Sequence, residues 1–182
     1  MKKPCFHSDE RQASLWAEAK KWEGTPFFAN QASCGHGVGC VELVHELLTA
    51  PAVAAAPRLD PLPCYTLDHG MHATDSQLLH FLFNHTALRG RLVFVPFESP
   101  KLPGDMIGVL SGQLDHHLAL VLPWHKVIHA MEGHGAVIHE LSDDKLTRRT
   151  LYVLRLLEPA PQSPAHHSTF DPRHLAAEEP QP

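Results

Sequence analysis

The second half of this 182-residue chain contains five short apolar runs, and their pattern constrains the fold more than any other feature. Turn-forming residues such as Gly112, Pro123 and the glycines of 133–135 lie between the runs. Short aliphatic and β-branched segments punctuated in this way are typical of antiparallel strands joined by tight turns. We therefore predict an antiparallel meander whose strands cover 106–110, 117–122, 127–131, 136–141 and 150–157.

The first half has helical periodicity instead. Residues 9–23 form an amphipathic pattern that Gly24 and Pro26 end, and a second helix is predicted over 40–49, before Pro51. A third helix is predicted from Thr74, with Thr74 or Asp75 as its cap, and a strand over 92–97. Helices followed by strands predict an α+β fold, with helices packed on one face of a sheet.

Composition limits both the architecture and the function classes. A chain of this length is sufficient for one domain, predicted over 1–158, whereas 159–182 is rich in proline, alanine and charge and is predicted to be disordered. The net charge of −5, without a block of lysines or arginines, argues against a nucleic-acid partner. No apolar stretch approaches the roughly 18 residues that a membrane span requires.

The N-terminal segment predicts where the protein is made and how its cysteines behave. Residues 1–7 carry two lysines but no apolar signal core, so we expect no secretory peptide and a cytoplasmic location on synthesis. In such a chain the four cysteines are expected to be reduced.

Cys40 is the candidate nucleophile. It follows a glycine-rich stretch, 33–39, and directly precedes the helical run 41–48, so it is predicted to lie at a helix N-terminus. Unpaired backbone N–H groups and the helix dipole favour an anion there, which makes a thiolate easier to form.

His117 is the candidate base, and His129 is the candidate residue that orients it. If 123–125 form a three-residue turn, Leu122 pairs with Lys126 and His129 becomes the diagonal neighbour of His117 on the same sheet face. His116 points the other way because successive strand residues alternate. Cysteine, histidine and an orienting third group form a papain-type catalytic arrangement.

Several motifs of this sequence resemble the NlpC-type papain-like cysteine peptidases of the cell wall. They are Trp22-Glu23-Gly24-Thr25-Pro26-Phe27, Cys40 with Leu43-Val44, Pro103-Gly104-Asp105, the run 117–122 and the run 127–130, in the family's order. The stretch 59–101 and the segment 132–137 resemble the phage-tail branch of that family, which implies an insert at about 51–101.

The resemblance implies a papain-like fold, with N-terminal helices on one face of a five- to six-stranded antiparallel sheet. It implies a cysteine hydrolase that cleaves an amide bond of a peptide or muropeptide, similar to a γ-D-glutamyl-diamino-acid endopeptidase. Without a secretory peptide, such an enzyme reaches the wall with a phage particle or other machinery. The implied substrate-binding positions are Phe27, Gly39 and Val41; Gly39 and Val41 replace the family's aspartate and serine, which help to hold the stem peptide's amino end.

Other interpretations remain open. The same fold can support an amidase or acyltransferase with a substrate outside the cell wall, or a non-catalytic phage-tail or binding module. The cluster Cys34, His36, Cys40 and His45 has zinc-type ligands, but Cys40 and His45 are five apart and lie off a common helix face, so no metal or other cofactor is expected. Glu42 and Glu46 are interpreted as a solvated helix stripe. The oligomeric state is not predicted.

Overall fold

A computed structural model describes residues 2–64, 76–111 and 114–160. These residues form four α-helices, one short 3₁₀-helix, a two-stranded hairpin and a six-stranded antiparallel sheet, so the predicted α+β class is confirmed. The helices are α1 (Asp9–Trp22), α2 (Cys40–Thr49), α3 (Gln77–Asn84) and α4 (Asp144–Arg149), with the 3₁₀-helix at Thr86–Leu88. The strands are β1 (Ala32–Ser33), β2 (Gly37–Val38), β3 (Leu92–Phe94), β4 (Met106–Ser111), β5 (Leu114–Leu122), β6 (Lys126–Met131), β7 (Gly135–Glu140) and β8 (Thr150–Leu156).

The first two helices begin and end close to where the sequence predicts. The Ser8 side chain accepts a hydrogen bond from the Arg11 N–H and caps α1, whose residues Leu15, Ala19 and Trp22 are buried. In α2, eight of the ten residues are buried, and the helix packs against β5 and β6. Because α2 is buried on nearly all sides, its packing holds the helix N-terminus, and therefore Cys40, in a fixed position relative to the sheet.

The sheet has the strand order β3-β8-β4-β5-β6-β7. Strands β4 to β7 form the predicted meander, and β8 returns to pair with β4 and β3. The turn between β5 and β6 places Leu122 opposite Lys126, as predicted. Trp124 and His125 both adopt positive φ in this turn, 56° and 57°, which matches the twist that a tight hairpin requires.

Alternating residues of the sheet divide the core into two clusters. Leu118, Leu120 and Leu122 pack on the side of α1 and α2, whereas Ala119 and Val121 belong to the cluster that contains Leu146 of α4. Every strand residue in the middle of the sheet is therefore covered, and the N-terminal helices lie on one face, as predicted.

The structure differs from the sequence prediction at several elements. Helix α3 is described from Gln77, with the Ser76 side chain accepting from the Leu79 N–H, while Thr74 and Asp75 lie outside the described residues. Both α4 and the β1–β2 hairpin were not predicted. The predicted disordered tail lies outside the described residues beyond 160.

Two buried carboxylates hold elements of the sheet together. Arg155 donates to Asp105 through Nε at 2.8 Å and Nη2 at 2.7 Å, and the Leu102 N–H donates to the same carboxylate at 2.8 Å. Asp115 accepts from the hydroxyls of Ser76 and Tyr152. Fully satisfied carboxylates of this kind keep their surroundings fixed. Across the described residues, no helix has the length and apolarity needed to cross a bilayer.

Candidate active site

Cys40 is the first residue of α2, as the sequence predicts. The preceding Gly39 is extended, with φ −84° and ψ 165°, and provides no side-chain cap. The backbone N–H of Gly39 donates to the Gln31 carbonyl, which ties the helix start to the β1–β2 hairpin. The first-turn N–H groups of α2 therefore surround a nearly buried thiol, 5 % exposed.

The two predicted histidines contact each other. His117 Nε2 and His129 Nδ1 are 2.7 Å apart, a hydrogen-bonding distance. The register Leu120–Ile128, continued by one residue, places Ala119 opposite His129, so the two rings meet on the diagonal as predicted. Because His117 uses Nε2 for this bond, its Nδ1 is the nitrogen left for a proton transfer.

A cleft of about 550 Å³ brings Cys40, His117 and His129 together. Phe27 and Gly39, two of the three substrate-binding positions that the resemblance implies, also line this cleft. Val41 does not: it is 4 % exposed and packs in the core, where it lines a separate small apolar cavity. Val41 comes directly after Cys40 in the helix, so its side chain points to a different face, the one that packs against the core.

Burial keeps both histidines neutral. It lowers the pKa of His117 to about 4. It also lowers the pKa of His129 to about 3, and the neighbouring rings of His117 and His139 add to this depression. At neutral pH the pair is therefore two uncharged imidazoles, each able to donate one hydrogen bond and accept another.

A third histidine extends the pair. His139 Nε2 lies 2.8 Å from His129 Nε2, so His117, His129 and His139 form one hydrogen-bonded row across β5, β6 and β7. The sequence analysis missed His139, although a signal exists. A three-residue turn at 132–134 pairs His129 with Val137, which makes His139 a diagonal neighbour of His129.

Glu42 was predicted to be solvated, and this prediction is wrong. It is 6 % exposed and lines the cleft, and burial raises the pKa of its carboxyl group. A Cβ atom added at Gly39 would lie 2.0 Å from Glu42 Oε2, so this carboxyl group fills the space where a side chain at position 39 would start. A side chain at position 39 would therefore displace the Glu42 carboxyl group from this place.

The zinc-type cluster does not assemble in the structure. Cys34 is exposed and its thiol faces the Lys21 carbonyl, whereas the buried His45 accepts a hydrogen bond from the Leu59 N–H through Nε2. Within 2–64, 76–111 and 114–160, no group of three or more histidine, cysteine or acidic side chains could hold a metal ion. No disulfide joins the four cysteines, all of which lie in the described ranges.

Solved structures share this architecture. A lipoprotein-like protein of the NLP/P60 family from Staphylococcus aureus subsp. aureus Mu50 superposes with a TM-score of 0.57 over 86% of this chain, at 20% sequence identity. The fold is that of the NLP/P60 family. This chain spans less than half of that Staphylococcus protein, 44% of its length. At the level of sequence, neither a family model nor a curated protein matches.

Two further NLP/P60 structures are similar over 78% of this chain, each at 16% identity. One is the NlpC/p60 domain of the peptidoglycan hydrolase SagA, with a TM-score of 0.45 and 96% of that domain covered. The other is an NlpC/P60 protein from Bacillus cereus ATCC 10987, with a TM-score of 0.49 and 39% of its chain covered.

Proposed function

We propose that this protein is a cysteine hydrolase of the NLP/P60 family that cleaves an amide bond of a peptide or muropeptide. The observation that supports it best is the cleft, which is lined by a cysteine at a helix N-terminus and by a hydrogen-bonded histidine pair. A nucleophile, a base and a group that orients the base are the minimum set for covalent acyl transfer.

The first half of the reaction forms an acyl-enzyme. His117 Nδ1 takes the proton of the Cys40 thiol, and the sulfur attacks the amide carbonyl carbon to form a C–S bond. The tetrahedral oxyanion accepts a hydrogen bond from the Cys40 backbone N–H at the start of α2. The His117 imidazolium then gives its proton to the amide nitrogen, the C–N bond breaks, and the amine leaves.

The second half of the reaction restores the enzyme. Water replaces the amine, His117 takes one of its protons, and the hydroxide attacks the thioester carbon. The C–S bond breaks, and the sulfur recovers the proton from His117 as the carboxylic acid product leaves. Because burial disfavours the imidazolium form of His117, the charged state is short-lived and depends on the hydrogen bond to His129.

The cleft also suggests what the substrate presents. Glu42 brings a carboxyl group beside Gly39, at the side of the cleft next to the nucleophile. The resembling family uses an aspartate in front of the cysteine to hold an amino end, and here the acidic group comes from two residues after the cysteine instead. A peptide with a free amine close to the scissile bond fits this arrangement.

Product analysis with purified muropeptides and with a mixture of unrelated peptides tests the proposal. The wild-type protein should release a new amine and a new carboxylic acid from one of these substrates, detected by mass spectrometry. Cys40→Ala should release none, and melting curves of both proteins should coincide. If Cys40→Ala gives the same products as wild type, another group performs the reaction and the proposal fails.

The choice of substrate in this experiment distinguishes the alternative functions. Cleavage of peptides but not muropeptides would identify an amidase of the same fold acting outside the cell wall. Transfer of the acyl group to an added amine, rather than to water, would identify an acyltransferase. Binding of muropeptides without any cleavage would identify a binding module.

A further inference from the structure

We propose that His139 is a positioning residue, which fixes the tautomer of His129 and thereby leaves the unprotonated nitrogen of His117 toward Cys40. This inference rests on the proposed function for its consequence, but its structural part concerns the free protein alone. Its basis is the histidine row, in which His139, His129 and His117 are joined by ring contacts of 2.8 and 2.7 Å.

The row can be arranged in two directions. His129 is neutral, so it carries one ring proton: it donates to one neighbour and accepts from the other, and both contacts have the same sense. In one sense, His117 donates to His129 and His129 donates to His139, which leaves His117 Nδ1 without a proton and able to act as a base. In the other sense, His117 carries its proton on Nδ1 and cannot accept one from the thiol.

His139 forms the end of the row opposite His117. Whether its Nε2 accepts or donates sets the direction of both hydrogen bonds. Its Nε2 faces the Nε2 of His129, and when it accepts, His129 must carry its proton on Nε2. The His129 Nδ1 is then an acceptor, and His117 donates to it from Nε2. A row held in the opposite sense requires His139 to donate from Nε2 instead.

His139 lies at the outer end of the row, at the edge of the sheet. The residue is half-buried on β7, the edge strand of the sheet, with the His129 ring of β6 beside it at a centroid distance of 4.7 Å. The charged and titratable groups that line the cleft with it are Glu42 on α2, Glu132 and His134 in the β6–β7 turn, Asp143 in front of α4, and Lys145 and Arg149 on α4. Asp143 is committed to the backbone N–H groups of Lys145 and Leu146, so it does not replace the ring as a partner of His129.

Two substitutions of His139 test whether its hydrogen-bond acceptor or its ring shape is what positions His129. In His139→Gln, the side-chain amide reaches the position of Nε2 and keeps an oxygen that can accept from His129, beside an NH₂ group. In His139→Phe, a ring of similar size remains without an acceptor. His80→Gln, on the exposed face of α3 and outside the cleft, is the matched control.

The decisive readout is the tautomer of each ring, measured by long-range ¹H–¹⁵N correlation spectra on histidine-labelled protein at pH 7. We expect a single tautomer for His117 and His129 in the wild type, in His139→Gln and in His80→Gln, and mixed tautomers in His139→Phe. The alkylation rate of Cys40 by iodoacetamide should fall about tenfold in His139→Phe, the equivalent of one hydrogen bond, and change little in the other two.

The outcomes distinguish this inference from the proposed function. Wild-type tautomers and rates in His139→Phe would overturn it, and so would equal losses in His139→Gln and His139→Phe, because the ring rather than the acceptor would then matter. If His139→Phe mixes the tautomers while the wild-type protein cleaves no amide, the positioning inference stands and the proposed function fails.

Discussion

Two polar clusters lie on the same sheet, and they differ in what their burial achieves. The Asp105–Arg155 pair is an ion pair. The Asp105 carboxylate accepts three hydrogen bonds, two from the Arg155 guanidinium and one from the Leu102 backbone N–H. Burial keeps His117 and His129 uncharged, and the rings of the histidine row contact one another. The ionised, satisfied pair holds the chain in one position, whereas the neutral rings of His117 and His129 lie where a proton can be exchanged with a group in the cleft.

This difference predicts that substitutions in the two clusters will affect different measurements. Changes in the histidine row should alter reactivity with little change in stability. Changes in the ion pair should alter stability, while the chemistry of the folded fraction stays the same. The predictions that follow test this separation, from the largest expected effect to the smallest.

Loss of the base should have the largest effect. His117→Ala removes the proposed acceptor of the Cys40 proton, so turnover of the substrate identified by product analysis should fall by at least about a thousandfold. The melting temperature should stay within a few degrees of wild type, since a cleft side chain contributes little to the core. A large fall in melting temperature together with normal activity would contradict the claim that the histidine row controls reactivity rather than stability.

Loss of the ion pair should be the largest stability effect. Asp105→Ala leaves the Arg155 guanidinium without its buried partner and should cost about 3–5 kcal/mol of unfolding free energy, measured by urea denaturation. Arg148→Ala, which breaks the exposed Arg148–Asp144 pair, is the control and should cost less than about 1 kcal/mol. Equal losses in the two variants would show that burial of the Asp105 pair is not what matters.

The orienting histidine should have an intermediate effect. His129→Asn keeps a hydrogen-bonding group near His117 and should retain part of the activity, whereas His129→Ala should lose about a hundredfold. Steady-state rates of the two variants, each with a melting curve, measure the difference. If both variants lose as much as His117→Ala, His129 takes part in the proton transfer itself.

The sequence predicted much of this arrangement because its signals were local. Cys40 follows glycines and precedes a helical run, and a three-residue turn was enough to pair Leu122 with Lys126. The histidine pair follows directly from that register. Family resemblance added the fold and the order of the motifs.

What the sequence did not predict depends on long-range packing. Glu42 has the spacing of a solvated stripe, but α2 is covered on nearly all sides, so the residue becomes part of the cleft. His139 is one of 16 histidines, and only the pairing of β6 with β7 distinguishes it from the others. Helix α4 has six residues, too few for a periodic apolar pattern, and Leu146 is its buried contact with the sheet.

The depressed pKa values of the row also predict a smaller, pH-dependent effect. His117 and His129 have pKa values of about 4 and about 3 in the folded protein, against about 6.5 in an unfolded chain. Between these values the unfolded chain binds more protons, so stability should fall as the pH decreases from about 6.5 toward about 4.

His129→Asn should reduce this acid sensitivity, because one of the two buried groups is gone. The loss of unfolding free energy between pH 7 and pH 4.5, measured by urea denaturation, should be smaller than in wild type by on the order of 2 kcal/mol. His80→Asn, which changes an exposed histidine of α3, should leave the loss as it is. An unchanged loss in His129→Asn would mean that the row is not buried in its neutral form.

The central claim is tested most directly by the rate at which iodoacetamide alkylates each cysteine at pH 7. This rate is measured by peptide mass spectrometry in the wild type and in His117→Ala. The claim is that His117 activates Cys40. We expect Cys40 to react fastest in the wild type despite its burial, and to lose at least about tenfold of that rate in His117→Ala. The exposed Cys34 and Cys64 should react equally in both proteins and are the internal controls. An inert Cys40 in the wild type, or a Cys40 rate that does not change when His117 is removed, would contradict the account.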